Sequence, residues 1–234
     1  MASHNQNFIL IILISWLMFQ SPVSSQDKVN LSLYYESLCP YCADFIVNKL
    51  AKVLETDLAS IVNLRLVPWG NTQIAPNTSW ICQHGPAECL LNTVEACAIK
   101  VWSNLMLMIQ ETHFKFINCV ERLHLENRQS SWQSCFSATG LSQTPIKNCY
   151  NNGLGYRLEK AYADETASLN PNHRFVPWVL VNNQPLQEDY QNFIAYICRA
   201  YRGRNIPQAC KNKALEINKI NVPDSTGPRV CFRG

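Results

Sequence analysis

Tyr34 to Leu50 reads YYESLCPYCADFIVNKL. An apolar run leads into Cys39-Pro40-Tyr41-Cys42, and a helix-like stretch follows. Upstream, Val29 to Tyr35 alternates and is rich in β-formers, which predicts a strand. Downstream, Phe45, Ile46, Leu50, Val53 and Leu54 share one face of a helix predicted over Asp44 to Leu58. Ile61 to Trp69 predicts a second strand, ended by Pro68. Strand, helix and strand of these lengths make a βαβ unit and therefore a parallel pair.

A CxxC lodged between a strand and a helix has chemistry in its position. The first cysteine sits where unpaired backbone N–H groups and the helix dipole favour an anion, so its thiol ionises more readily and becomes a nucleophile. Pro40 suits the first helical turn, where its missing N–H is not needed. Cys42, one turn on, is placed to attack a mixed disulfide formed at Cys39 and release it. Glu36, three residues before Cys39, opposes ionisation when charged and close, and opposes it less when protonated. Two other readings compete. A zinc half-site needs Cys82, His84 or Cys89 to complete it, yet Cys82 and Cys89 form no second CxxC. A purely structural bridge across so short a loop gains little stability.

The 234 residues, 47% hydrophobic and 16% charged with a net charge of +3, suit one substantial domain or two small ones with a buried core, and hold no basic run for nucleic acid. Phe8 to Phe19 (FILIILISWLMF) is predicted to be the core of a secretory signal covering residues 1–25, too short to span a bilayer comfortably. The leading MASHNQN has no Lys or Arg, which keeps a signal anchor as the alternative. Eleven cysteines point to an oxidising compartment, and glycosylation sequons at Asn30 and Asn77 fit the secretory route.

Further along, Glu88 to Leu123 lacks Pro and Gly and carries Leu91, Val94, Ala98, Trp102, Leu105 and Ile109 at three- and four-residue steps, the stripe of a helix packed on a core. A second helix is predicted over Tyr156 to Thr166. Val176 to Val181 predicts a strand with Pro177 near its start. Asn182-Asn183 suits a hairpin turn into a short strand at Gln184 to Leu186, and a helix over Tyr190 to Tyr201 closes the core. Lys211 to Gly234 is polar and aperiodic, and is expected to be mostly unpacked and removable.

One stretch carries a resemblance. Cys82-Gln83-His84-Gly85-Pro86-Ala87-Glu88-Cys89-Leu90-Leu91-Asn92-Thr93-Val94-Glu95-Ala96-Cys97 matches CQHGxxECxxNxxxxC. That pattern resembles the signature of the gamma-interferon-inducible lysosomal thiol reductases (GILT), and the likeness extends over Leu31 to Cys210. It implies an α/β, thioredoxin-like fold (βαβ … ββα) over residues 26–210, with a helical, disulfide-rich insertion at about 82–170 and a polar tail at 211–234. It implies that Cys39 and Cys42 are the redox pair of an enzyme reducing protein disulfides, with members of the family acting at acidic pH in endosomes and lysosomes. It also places Val176 and Pro177, the latter as a cis-proline, beside the substrate chain.

Cys198 and Cys210 are the expected structural pair at the end of the last helix. Six further cysteines leave 15 connectivities open, and Cys231 is left over, free to bridge a second chain. His84 is read as structural in preference to catalytic, and Asn92 and Glu95 as helix caps or core bonds. No cofactor, metal, nucleic acid or stable membrane insertion is expected. The partners are disulfide-containing proteins and a thiol reductant, and the destination is a lysosome, a vacuole or the cell exterior. The rival functions are a secreted oxidase or isomerase, and a non-enzymatic disulfide-rich module binding lipid or protein.

Overall fold

The computed structural model describes residues 28–102, 112–213 and 229–234. Strand β1 (Val29–Tyr35) enters first, buried at six of its seven positions. Helix α1 (40–54) follows as an α turn over Pro40–Asp44, a wider π turn over Phe45–Leu50 and α again over Ala51–Leu54. After a short 3-10 turn (Asp57–Ser60), β2 (Val62–Pro68) runs parallel to β1, from Val29 opposite Val62 to Tyr35 opposite Pro68. The βαβ unit is therefore as expected. The helix begins at the CxxC, four residues earlier than its apolar stripe suggests, because Pro40 nucleates the first turn.

A two-residue ribbon, β3 (Gln73–Ile74) and β4 (Trp80–Ile81), leads into the inserted helices. These are α2 (Pro86–Trp102), α3 (Thr112–Leu125), α4 (Ser134–Thr139), α5 (Gln143–Asn151) and α6 (Leu154–Ala167). They hold a core of their own, with Leu91, Val94, Phe116, Val120, Phe136 and Ile146 at its centre. The bonds Cys97–Cys149 and Cys119–Cys135 cross it, closing separations of 52 and 16 residues. Such loops are worth about 3–4 kcal/mol each through the entropy removed from the unfolded chain. The part of the predicted stripe at Leu105 and Ile109 lies outside the described residues.

The chain then returns to the sheet. Strand β6 (Trp178–Val181) pairs antiparallel with β1, and β7 (Gln184–Pro185) pairs with β6, giving the order β2-β1-β6-β7. Asn182 and Asn183 make the connecting turn with φ of 47° and 64°, a conformation asparagine tolerates. One expectation is corrected here. The strand predicted over Val176–Val181 is two strands, because Pro177, after a cis bond, divides β5 (Phe175–Val176) from β6. A 3-10 turn (Gln187–Asn192) and α7 (Phe193–Ala200) cover the sheet, with the ring of Phe193 tilted against Phe45 of α1 at 4.9 Å. The Cys198–Cys210 bond fastens α7 to α8 (Gln208–Lys213), as expected.

The end of the tail departs from expectation, while 214–228 lie outside the described residues. Its last residues fold back as β8 (Cys231–Phe232), which pairs antiparallel with β5, and Val230 and Cys231 are buried. A two-residue pairing across so much chain leaves no periodicity for a sequence reader to find.

Candidate active site

Cys39 is the N-cap of α1, in extended conformation, with Pro40 at the first helical position. Leu38, just before it, has a φ of 67°. This left-handed conformation costs an ordinary side chain roughly 1–2 kcal/mol. Burial of Leu38 in the core of the inserted helices holds it there, so the turn aims the two neighbours in different directions: Leu38 into the helical block, Cys39 into the core of the sheet.

The bond at Cys39 differs from expectation. Its sulfur is joined to Cys231, 192 residues away, with a Cα separation of 6.3 Å. Pairing of β8 with β5 brings Cys231 within disulfide range. Cys42, one turn further along α1, is the free cysteine and is wholly buried. The expectation of a Cys231 free to bridge a second chain is corrected: Cys231 is used within its own chain, and of the expected redox pair Cys39 carries that bond while Cys42 is the free thiol. Burial pushes the Cys42 thiol well above its usual range. The charge of Glu36 pushes the same way, against a hydrogen bond from the Glu36 backbone N–H.

Glu36 lies fully buried beside this chemistry, its carboxylate and the sulfurs of Cys39 and Cys231 all within 4.8 Å of one another. It accepts the backbone N–H of Asn71 at 2.7 Å. Burial, then repulsion from Glu88, raises its pKa to about 7 against the lowering effect of Asn71 and His84. Gly70, at φ +57°, makes the room: a Cβ there would stand 2.5 Å from the Cβ and Oε2 of Glu36.

The signature residues converge behind the same loop. His84 Nδ1 stands 2.8 Å from Glu88 Oε2 and 3.6 Å from Glu36 Oε1, a bridge between two buried carboxylates. Its pKa is raised, chiefly by the bond to Glu88 and despite partial burial. Gly85, with φ +84°, makes the turn into α2 that only glycine enters freely. Asn92 accepts the backbone N–H of Ser37 at 2.8 Å, and Glu95 accepts the hydroxyl of Tyr35 at 2.6 Å. Both are core bonds, not caps.

Glu88, Asn92 and Glu95 recur at four- and three-residue steps on α2. A polar stripe on an otherwise apolar helix was the readable signal that this face supports the CxxC loop, and sequence reasoning passed over it. Cys82 and Cys89 are bonded to each other, which removes the ligands a zinc reading required.

Val176 is buried and lies opposite Cys231 in the β5–β8 register, with cis-Pro177 next to it. The sequon asparagines are exposed: Asn77 on the turn between β3 and β4, and Asn30 at the start of β1, where it accepts the side-chain amide of Asn63 and its Ser32 is buried.

The family profile described as gamma interferon inducible lysosomal thiol reductase (GILT) matches residues 30–139. A relative from Arabidopsis thaliana, described as a gamma-interferon-responsive lysosomal thiol protein, is 41% identical over 191 residues, 80% of this chain and 77% of its own. The gamma-interferon-inducible lysosomal thiol reductase of Mus musculus is 33% identical over 204 residues, 85% of this chain and 78% of its own. Among solved structures, oxidised BdbD from Bacillus subtilis superposes with a TM-score of 0.53 at 13% identity, covering 77% of this chain and 91% of that one. Reduced DsbG from Mycobacterium tuberculosis gives 0.53 at 16%, covering 82% and 86%. The chain belongs to the gamma-interferon-inducible lysosomal thiol reductase family, oxidoreductases acting on disulfides through a thioredoxin-like fold with a helical insertion.

Proposed function

We propose that this protein reduces disulfides of polypeptides at acidic pH through Cys39 and Cys42. The observation that carries the reading is a free, buried thiol at Cys42 one turn behind a Cys39 already engaged in a disulfide at the mouth of a helix. In the proposed cycle the Cys39 thiolate attacks one sulfur of a substrate disulfide, the substrate S–S bond breaks, the other sulfur leaves and takes up a proton, and a mixed disulfide remains at Cys39. Cys42 then gives up its proton, bonds to Cys39 and expels the substrate sulfur as a thiol. An external thiol returns the Cys39–Cys42 disulfide to the dithiol. Val176 and Pro177 border the substrate chain. Reduction of insulin near pH ~5 by the wild type but not by Cys39→Ser tests the reading.

Direction is tested separately. A reductase holds its dithiol less tightly than a strong oxidant does, so the Cys39–Cys42 couple is expected below about −200 mV against glutathione. A value near −120 mV would make the protein an oxidase.

Acid operation has a physical basis in Glu36. Above pH 7 its carboxylate repels sulfur anions close by. Below pH 7 it is protonated and the repulsion disappears, which offsets part of the competition from protons for the thiolate. At about 5 Å and an effective dielectric of 20 the repulsion amounts to roughly 3 kcal/mol. Glu36→Gln is therefore expected to lower the apparent pKa of the active-site thiols by about one to two pH units. It should speed alkylation several-fold at pH 8 and leave it unchanged at pH 5. Iodoacetamide labelling of mildly reduced protein across pH 5–9 measures this, and superimposable profiles would remove Glu36 from the mechanism.

For localisation, the predicted signal, the sequons and five disulfides support the secretory route, ending in an acidic compartment or outside the cell. Among the described residues no helix is long and apolar enough to cross a membrane.

A further inference from the structure

The end of the chain lies along the active site as a two-residue strand paired with β5. Cys231 stands opposite Val176 and Phe232 opposite Phe175, and Arg233 N–H donates to the Arg174 carbonyl at 3.0 Å. Side chains donate to three carbonyls of the segment. Asn71 Nδ2 donates to Cys231 O at 3.1 Å, Gln83 Nε2 to Phe232 O at 2.9 Å, and the Tyr190 hydroxyl to Arg229 O at 2.6 Å. Side-chain recognition is sparse by comparison. Val230 is buried, Arg229 pairs with Asp44 at 3.4 Å, and Phe232 touches Phe175 edge-on while remaining 55% exposed. A groove that grips main-chain atoms and one apolar side chain suits an extended polypeptide of loosely specified sequence.

We propose that residues 229–233 are a covalently held stand-in for the substrate: the β5 edge with Asn71 and Gln83 forms a groove for an extended, cysteine-bearing polypeptide with an apolar residue just before its cysteine. The proposal rests on the thiol–disulfide exchange proposed above and adds where the substrate lies and what grips it. It gives Gln83 of the signature a job, holding the carbonyl of the residue after the substrate cysteine. It also makes the chain self-capped. Emptying the groove requires no outside oxidant or reductant. Cys42 loses its proton and bonds to Cys39, the Cys39–Cys231 bond breaks, and the Cys231 sulfur leaves with the electron pair and takes up a proton. One disulfide is exchanged for another. A thiol reductant then supplies the two electrons that open Cys39–Cys42.

The test uses full-length protein carrying Cys42→Ser and Cys231→Ser, in which Cys39 is the free thiol. The probe is the hexapeptide Arg-Val-Cys-Phe-Arg-Gly bearing glutathione on its cysteine, and capture is followed by intact mass. Capture is expected to be at least about tenfold faster than for the same peptide with Asp in place of Val, since a carboxylate would enter a buried site. Gln83→Ala should lower the ratio of peptide capture to reaction with glutathione disulfide several-fold, since its amide holds only the carbonyl of Phe232 at the groove. Equal rates for the two peptides and for glutathione disulfide would overturn the proposal. A chain ending at residue 228 with Cys42→Ala gives the same readout if the double variant folds poorly.

Disulfide mapping of the unreduced wild type should find Cys231 joined to Cys39, or free with Cys39 joined to Cys42. Cys231 joined to any other cysteine would overturn self-capping. Failure of insulin reduction with peptide capture intact would sink the reductase reading and leave the groove standing.

Discussion

Insulin mixed with a thiol reductant at pH ~5 and the Cys39→Ser protein is expected to lose its disulfides no faster than with reductant alone, a fall of at least about a thousandfold from the wild type. The size follows from what sulfur does there. The attacking atom must be an anion at acidic pH, and a serine hydroxyl supplies none. Nor can oxygen form the mixed disulfide through which electrons pass.

Cys42→Ser should lose turnover to a similar extent by a different route. Its Cys39 still attacks, so each molecule stops as a covalent adduct with substrate, visible as an added mass that reductant removes. The wild type should show no lasting adduct, because the free thiol of Cys42 lies one turn from Cys39. The pair of variants separates three readings. An adduct in Cys42→Ser and none in Cys39→Ser assigns attack and release. Adducts in both would place the nucleophile elsewhere. Full insulin reduction by both would leave a disulfide-rich binding protein.

Local pattern carried much of the architecture. Val29–Tyr35 was legible to the residue because Val29, Leu31 and Leu33 alternate with polar residues and lead into two tyrosines, a run of β-formers. Asn182–Asn183 was legible because few residues accept positive φ twice in succession. Cys39 and Cys42 were legible because their place between strand and helix has a chemical reason. What escaped depends on contacts distant in sequence. Cys231 reaches Cys39 across 192 residues, and nothing in a polar tail announces a two-residue pairing with β5. Pro177 was found, but not that it divides one strand in two. Glu121 and Glu159 look like the solvent faces of their helices, yet both are buried in the structure. A carboxylate at three- or four-residue spacing from apolar neighbours reads as surface until the facing element is known, and for the same reason Glu95 on α2 was left between a cap and the core bond that the structure shows.

Those buried acids set the second large expectation: the folded protein should be most stable near pH ~5 and lose about 10 °C or more of melting temperature by pH 8. Burial raises Glu36 and Glu95 to about 7 and pushes Glu121 and Glu159 well above the usual carboxylate range. Between about pH 4.5 and 7 the native state keeps these protons and the unfolded chain releases them. Stability then falls as pH rises, by about 1.4 kcal/mol per pH unit for each group.

His113 and His173 work the other way. Burial lowers both to about 4, so between pH 4 and 6.5 the unfolded chain binds protons that the native state refuses, and stability climbs with pH. His124 is lowered as well. Four carboxyls against three histidines leave a small net fall up to pH 6.5. Above that the histidines drop out in both states while Glu121 and Glu159 continue, joined by His84, whose raised pKa makes its contribution fade as pH rises. The descent should therefore steepen between pH 6.5 and 8. A few kcal/mol lost over that range corresponds to about 10 °C for a chain of this size.

Calorimetry from pH 4 to 8 measures the curve, and Glu121→Gln tests its cause. The amide keeps the shape and cannot ionise, and it can donate to Glu95, which in the wild type requires a proton on Glu121. Its curve should be visibly flatter above pH 6.5. A melting temperature that climbs from pH 5 to 8 would mean that these carboxyls ionise without cost, through water or a rearrangement of α2 and α3 around them.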